Sequence, residues 1–287
     1  MGHSRVLVGV MILGAASAAC SKPRDNAARE RAGTPAAGSA AQTAQLRVEN
    51  SDGRAITAEE LAHSNGNLHY SVVSDAKIPD EARKLHEQGR AAGGAGDYAK
   101  ALALFAKAHE TAPDWAYPMY DAGYTYELMD QPDKALASYD AVLKLEPRGF
   151  FNALSSADCL RREAAHEWQP GACKAYHLVE WLSPSKQKEA LEGLVAKAPG
   201  LAAAWKDLAG HLDDNTARLK ALEQGLSQRP DAQTRGFLLM NKGLMLDSLG
   251  KHDEARQILT ALSGEPGLPV DVEQLVKLSL AQLDVKH

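Results

Sequence analysis

Small and apolar residues recur at helical spacing over two neighbouring stretches of the chain, separated by a turn at Gly96-Asp97. In the first stretch these residues are Leu85, Gly89 and Ala92, and in the second they are Ala101, Phe105 and Ala108. Steps of three and four residues place each set on one face of an amphipathic α-helix. Pro113 then ends the second helix, because proline lacks the amide hydrogen that a helix interior needs. The pattern predicts a helical hairpin over residues 82–113.

The same pattern returns 34 residues further along the chain. The matching pairs are Ala101 and Ala135, Phe105 and Tyr139, and Pro113 and Pro147. This period, with small, aromatic and proline residues kept in register, resembles the tetratricopeptide repeat (TPR). The resemblance implies stacked helix-turn-helix units, because each hairpin leaves an apolar face that only a neighbour can cover. It also implies that the aromatic residue fills the gap between repeats.

Further helical periodicity extends the repeat towards the end of the chain. Less regular units begin at Ala202 and Gly236, whereas the period breaks between Phe150 and Pro199 around the segment CKAYHLVEWL. We therefore predict an all-α, TPR-like α-solenoid of about four helix-turn-helix units with a C-terminal capping helix. The predicted boundaries are two units over residues 82–149, a TPR-like unit with an insertion over 150–199, two units over 200–268 and the cap over 269–287.

The start of the chain has the pattern of an export signal. Arg5 precedes an apolar run that is too short to span a bilayer and that ends in small residues, which predicts a signal peptide over residues 1–19. The run stops at Cys20 and resembles the lipobox of bacterial lipoproteins, in which the cysteine is lipidated. The alternative is a plain secreted protein that is cut near Ala19. The resemblance implies an exported, lipid-anchored protein, placed by Ser21 at the periplasmic face of the outer membrane.

Two further segments separate this signal from the repeats. Residues 20–45 contain the lipidated cysteine and a stretch without aromatic or large aliphatic side chains, which predicts a disordered tether. Residues 46–81 alternate short extended and helical patterns and form a lead-in segment of undefined structure.

Two cysteines, Cys159 and Cys173, remain if Cys20 is lipidated. An exported compartment permits disulfides, so we predict that these two residues form a bridge that holds the insertion. The alternatives are two buried free thiols, or a zinc site that also uses His166 and His177. The zinc site is disfavoured because seven residues of helix separate the first two ligands by about 10.5 Å.

Charge and motifs exclude several classes of function. The net charge is −5 and the pI is about 6.1, which argues against nucleic acid as a partner. The glycines at Gly94 and Gly96 fit a dinucleotide fingerprint only formally, because they follow a helix rather than a strand. We predict no catalytic residues, no metal, no cofactor and no small-molecule substrate.

The candidate binding residues come from the repeat itself. In TPR arrays, positions 2, 5, 9 and 12 of the first helix of each unit line the concave face, and core packing uses other positions. The predicted partner-binding residues are Arg83, His86, Arg90, Tyr117, Tyr120, Tyr124 and Glu127. The carboxylate clamp of chaperone-binding TPRs is not reproduced, since its positions hold His86, Arg90 and Asp121.

These observations predict a non-enzymatic scaffold of the cell envelope that binds another protein or a peptide, with the membrane reached through its lipid anchor. The alternative is an accessory subunit of an envelope enzyme, secretion or transport complex. A periplasmic enzyme that uses the Cys/His insertion is a more distant possibility.

Overall fold

A computed structural model describes residues 7–10, 46–50, 53–57, 67–74 and 78–286. These residues form three short strands followed by twelve α-helices. The strands are β1 (Leu7–Val10), β2 (Leu46–Glu49) and β3 (Asn67–Ser74). The helices are α1 (Asp80–Gly94), α2 (Tyr98–Thr111), α3 (Tyr117–Leu128), α4 (Pro132–Leu145), α5 (Ala153–Ala164), α6 (Ala172–His177), α7 (Pro184–Lys197), α8 (Ala202–His211), α9 (Asn215–Ser227), α10 (Ala232–Ser248), α11 (His252–Ser263) and α12 (Val270–Lys286).

The three strands, which precede the helices in the sequence, form a small sheet. β3 is the central strand, parallel to β1 and antiparallel to β2. β2 contacts α12, and β1 contacts α8 and α10. The lead-in segment thus contains strands that its mixed pattern did not define. β1 lies within the predicted signal peptide, which stays a prediction, whereas Cys20 and the whole tether over residues 20–45 lie outside the described residues.

The helices pair into hairpins as the repeat predicts. The predicted all-α solenoid is therefore confirmed for the helical part of the chain. Four antiparallel hairpins are formed by α1 with α2, α3 with α4, α8 with α9, and α10 with α11. Between the second and third hairpins, α5 packs on α4 and α7 packs on α8. α6 and a 3₁₀ turn at Leu178–Trp181 separate α5 from α7 in the chain. None of the helices in the described part has both the length and the apolar character needed to cross a membrane.

The glycines of the repeat are contact points within each unit. A Cβ atom on Gly89 would lie 2.6 Å from the ring of Phe105, and one on Gly123 would lie 2.9 Å from the ring of Tyr139. Both rings belong to the second helix of the same hairpin, and both are almost fully buried. Each ring thus packs on the glycine of its own unit, and Phe105 also clusters with Ala122 of the next unit, in line with the expectation that the aromatic fills the gap between repeats.

The C-terminal helix returns to the middle of the chain. The amide of Val270 donates a hydrogen bond to the carbonyl oxygen of Arg148 at 3.1 Å, and Arg148 Nε donates to the carbonyl oxygen of Leu268 at 2.9 Å. Behind this contact, Val272, Leu275 and Val276 are fully buried. They belong to one apolar cluster that runs from the second unit to the cap, so the end of the solenoid closes onto its centre.

Candidate interaction surface

The first helix of the second unit, α3, carries four of the predicted binding residues, and the insertion lies against it. His177 Nδ1 donates to Glu127 Oε2 at 2.7 Å, and Lys174 Nζ donates to the carbonyl oxygen of Leu128 at 3.1 Å. Four residues after His177, Trp181 Nε1 donates to Tyr124 Oη at 2.5 Å. The chain's own insertion therefore covers the C-terminal half of the face that was predicted to take a partner.

A disulfide holds the start of the insertion in place. The sulfur atoms of Cys159 on α5 and Cys173 on α6 are 2.08 Å apart, with the Cα atoms separated by 5.8 Å. The amide of Cys173 also donates to Glu163 Oε2 at 3.0 Å. Gly171 precedes α6 with a φ of +88°, a left-handed conformation that glycine adopts without steric cost. These contacts fix where α6 begins relative to α5.

The disulfide also bears on the zinc alternative. Both sulfurs are consumed by the bond, so neither is available as a thiolate ligand. His166 is exposed, whereas His177 is buried and hydrogen-bonded to Glu127. Within the described ranges, no group of three or more His, Cys, Asp or Glu side chains is arranged to hold a metal ion.

A buried polar network joins the insertion to the second and third units. Glu127 accepts hydrogen bonds from Tyr139 Oη and from His177 Nδ1, both at 2.7 Å, and His177 Nε2 lies 3.1 Å from Ser156 Oγ. Burial acts to lower the pKa of His177, but the Glu127 carboxylate outweighs it, with help from Glu180 and Glu163, and the pKa is raised. A protonated imidazole then donates from both ring nitrogens, to Glu127 and to Ser156.

Ser156, His177 and Glu127 form a row that resembles the hydrogen-bonding order of a hydrolase triad. The position of Ser156 explains why this row is structural. Ser156 lies within helix α5 and its exposed fraction is 0%, so no substrate reaches its hydroxyl while α6 is in place. A nucleophile must be within reach of the atom it attacks. We therefore assign the row to packing of the insertion.

Two predicted binding residues of the first unit, His86 and Arg90, contact α3 at the carboxylate of Asp121. His86 Nε2 lies 2.8 Å from Asp121 Oδ2, and Arg90 Nε lies 3.7 Å from the same oxygen. The Arg90 guanidinium sits over the Tyr117 ring at 5.8 Å. Burial, together with Asp121, raises the pKa of Tyr117 to about 12 in spite of Arg90, so this tyrosine stays neutral at physiological pH.

The seven predicted residues therefore divide by exposure. His86, Tyr120 and Glu127 are buried, which corrects the assumption that these positions are not needed for packing. The physical reason is local. The insertion covers Glu127. Tyr120 is covered by the rings of Phe150 and Phe151. His86 is covered by the rings of Trp115 and Tyr117.

The remaining four residues keep solvent contact. Arg83 is exposed, and Arg90, Tyr117 and Tyr124 are partly exposed. Partner binding by these residues stays a prediction. Arg83 Nε donates to the carbonyl oxygen of Ile78 at 3.2 Å, which anchors part of its side chain at the start of α1.

Sequence reasoning missed the side chains at the end of the insertion. Trp181 is 49% exposed and Leu182 is 37% exposed. Glu180 precedes them, and its pKa is raised to about 7 by burial and by Asp207, against the opposing effect of His177. Together with Tyr124, these residues form what we call the insertion patch: Tyr124, Glu180, Trp181 and Leu182. The available signal was the WL dipeptide that ends the segment where the 34-residue period breaks.

The match to a known protein family lies in the second unit. Residues 116–148 match the tetratricopeptide repeat family, which covers α3 and α4. Three solved structures illustrate the fold-level matches. MamA (residues 41 to the end) from Desulfovibrio magneticus RS-1 is 18% identical, with 65% of this chain and 95% of that chain covered and a TM-score of 0.31. YrrB, described as a TPR protein with an unusual peptide-binding site, is 16% identical, with 70% and 90% covered and a TM-score of 0.30. The TPR2AB domain of yeast Sti1 in complex with pHSP90 is 12% identical, with 71% and 86% covered and a TM-score of 0.34.

TM-scores at this level do not bear on how the repeats of this chain are arranged. No curated protein sequence matches the chain. The identification depends on the matched unit and on the hairpin geometry around it, in which a ring packs on the glycine of the same unit. The chain therefore contains a tetratricopeptide repeat over residues 116–148.

Proposed function

We propose that the chain is a non-enzymatic protein–protein interaction scaffold of the bacterial cell envelope, and that the insertion patch takes the partner. TPR proteins are generally interaction modules rather than enzymes. The observation that carries the proposal is the exposed indole of Trp181, held to Tyr124 by a hydrogen bond of 2.5 Å. Tryptophan and tyrosine dominate the binding energy of protein interfaces.

The patch is organised before any partner arrives. Gln187 Nε2, from α7, donates to the carbonyl oxygens of Glu180 at 3.2 Å and Leu182 at 3.0 Å. These bonds fix the backbone that presents Trp181, so little conformational entropy is lost when a partner binds. The partly exposed Tyr117 and Arg90 extend the surface along the concave side of the first two units. The envelope location is supported by the export pattern before Cys20.

The experiment is crosslinking in cells, followed by affinity purification of the full chain from membranes and mass spectrometry. We expect one or a few proteins to be captured by the native chain and lost with Trp181→Ala, without change in helical content. Leu249→Ala is the matched control, since Leu249 is a similarly exposed apolar residue on a different unit. If Trp181→Ala captures the same proteins as the native chain, the insertion patch is not the site where the partner binds.

A further inference from the structure

The insertion patch combines an apolar side and an acidic side. The indole of Trp181 and the side chain of Leu182 supply the apolar side at the end of the 3₁₀ turn. Glu180, which is exposed and precedes Trp181 in the chain, supplies the acidic side. Within the described part of the chain, no hydrogen-bond donor or cationic side chain contacts the Glu180 carboxylate directly.

The charged groups that act on Glu180 are already engaged with other partners. His177, on α6, is hydrogen-bonded to Glu127 at 2.7 Å. Asp207, on α8, acts on Glu180 as a like charge, and it is itself paired with Lys206 at 3.1 Å and accepts a hydrogen bond from Tyr176 Oη at 2.6 Å. On the α3 side, Glu180 helps to raise the pKa of Tyr124, a phenol that brings no positive charge. The pKa of about 7 at Glu180, raised by burial and by Asp207, agrees with a carboxylate that lacks a cationic partner.

We propose that the insertion patch binds a segment of a partner protein in which a lysine or arginine side chain adjoins an apolar side chain; this inference rests on the function proposed above. The apolar side chain packs on Trp181 and Leu182. The cation sits between the Glu180 carboxylate and the face of the indole, where an ion pair and a cation–π contact act on the same group.

Charge complementarity selects this occupant over others. An acidic segment would meet Glu180 and Asp207 as like charges, which destabilises a complex. A second copy of this chain would bring a net charge of −5 towards the same carboxylates. A purely apolar segment would leave Glu180 buried without a counter-charge, which costs free energy.

The test uses the purified full chain and random 12-residue peptides displayed on phage as the probe. We expect the selected peptides to carry lysine or arginine within two positions of a large apolar residue. Synthetic versions should bind Glu180→Gln about tenfold more weakly than the native chain, the loss expected when an ion pair and part of a cation–π contact are removed. Glu189→Gln and Glu192→Gln are matched controls, because both remove an exposed carboxylate from the adjoining helix α7 without touching the patch.

The outcomes separate this inference from the proposed function. Peptides that need Trp181 but lack basic residues, or that bind Glu180→Gln as well as the native chain, overturn the inference and leave the partner site in place. Peptides that bind Trp181→Ala unchanged, or a failure to select any peptide, contradict both. A concentration-dependent dimer that is lost with Trp181→Ala would assign the patch to a second copy and overturn the inference.

Discussion

Gly123 is a site where one missing side chain permits the packing of a unit. The Tyr139 ring lies over it, is fully buried, and is fixed by the hydrogen bond from its hydroxyl to Glu127. A Cβ at this position would lie 2.9 to 3.1 Å from three ring atoms, closer than such contacts allow. The ring can retreat only by disturbing its hydroxyl bond to Glu127 and its packing against the Tyr120 ring.

We expect Gly123→Ala to lower the free energy of unfolding. Alanine favours a helix over glycine by about 1 kcal/mol, whereas overpacking a filled core costs about 1–3 kcal/mol, so the net effect is destabilising. Gly193→Ala is the matched control, since Gly193 lies inside helix α7 and an added Cβ meets no atom within 4 Å. The control should stabilise the protein. Urea unfolding of both variants measures the change in the free energy of unfolding. A stabilised Gly123→Ala would contradict the packing described.

The insertion is the element that distinguishes this chain from a regular repeat array. It is tied at its start by the Cys159–Cys173 disulfide and along its length by the contact of His177 with Glu127. His177 has a raised pKa because Glu127, Glu180 and Glu163 together outweigh the effect of burial. A group whose pKa is higher in the folded than in the unfolded state contributes stability below the unfolded value of about 6.5, and loses it as the pH rises through the folded value.

We therefore expect the free energy of unfolding to fall as the pH rises above about 6.5, and the fall to shrink in His177→Asn. The measurement is urea unfolding between pH 6 and pH 9, in a Glu180→Gln background so that the neighbouring carboxyl does not titrate in the same window. His166→Asn is the control, because His166 is exposed and asparagine tolerates its positive φ of 62°. The same pH dependence in His177→Asn as in the native histidine would argue against a charged contact.

At the scale of the molecule, the solenoid closes on itself instead of remaining an open array. Gln233 on α10 lies at the junction: its Nε2 donates to Asp271 Oδ2 on α12 at 2.7 Å and to the carbonyl oxygen of Phe151. Gln233 is only 2% exposed. One buried amide thus joins the α10–α11 hairpin, the cap and the loop that follows the second unit.

We expect Gln233→Leu to destabilise the protein by about 1–3 kcal/mol, because it removes the donor from two buried acceptors. Hydrogen exchange should speed up at the amide of Val270, which bonds to Arg148 across the closure, before it changes in α1 and α2. Gln224→Leu, at an exposed position on α9, should leave both measurements unchanged. Exchange that accelerates equally in all helices would mean that the closure does not open as a separate unit.

The sequence by itself determined the helical hairpins, since the spacing of Gly123, Ala135 and Tyr139 is dictated by contacts inside one unit. It also identified the two cysteines that the structure joins, because an even number of cysteines in a chain that is predicted to be exported leaves few partners. Such local constraints repeat along the chain and are visible as a period.

Only the tertiary structure decided what covers each helix. Tyr120 and Glu127 occupy positions that a regular array leaves open, yet they are buried here because the Phe150-Phe151 loop and the insertion return onto α3. Contacts of this kind join residues far apart in the chain, as between Arg148 and Leu268, which are 120 positions apart. Burial depends on which segments meet in space, and no spacing within one helix records it.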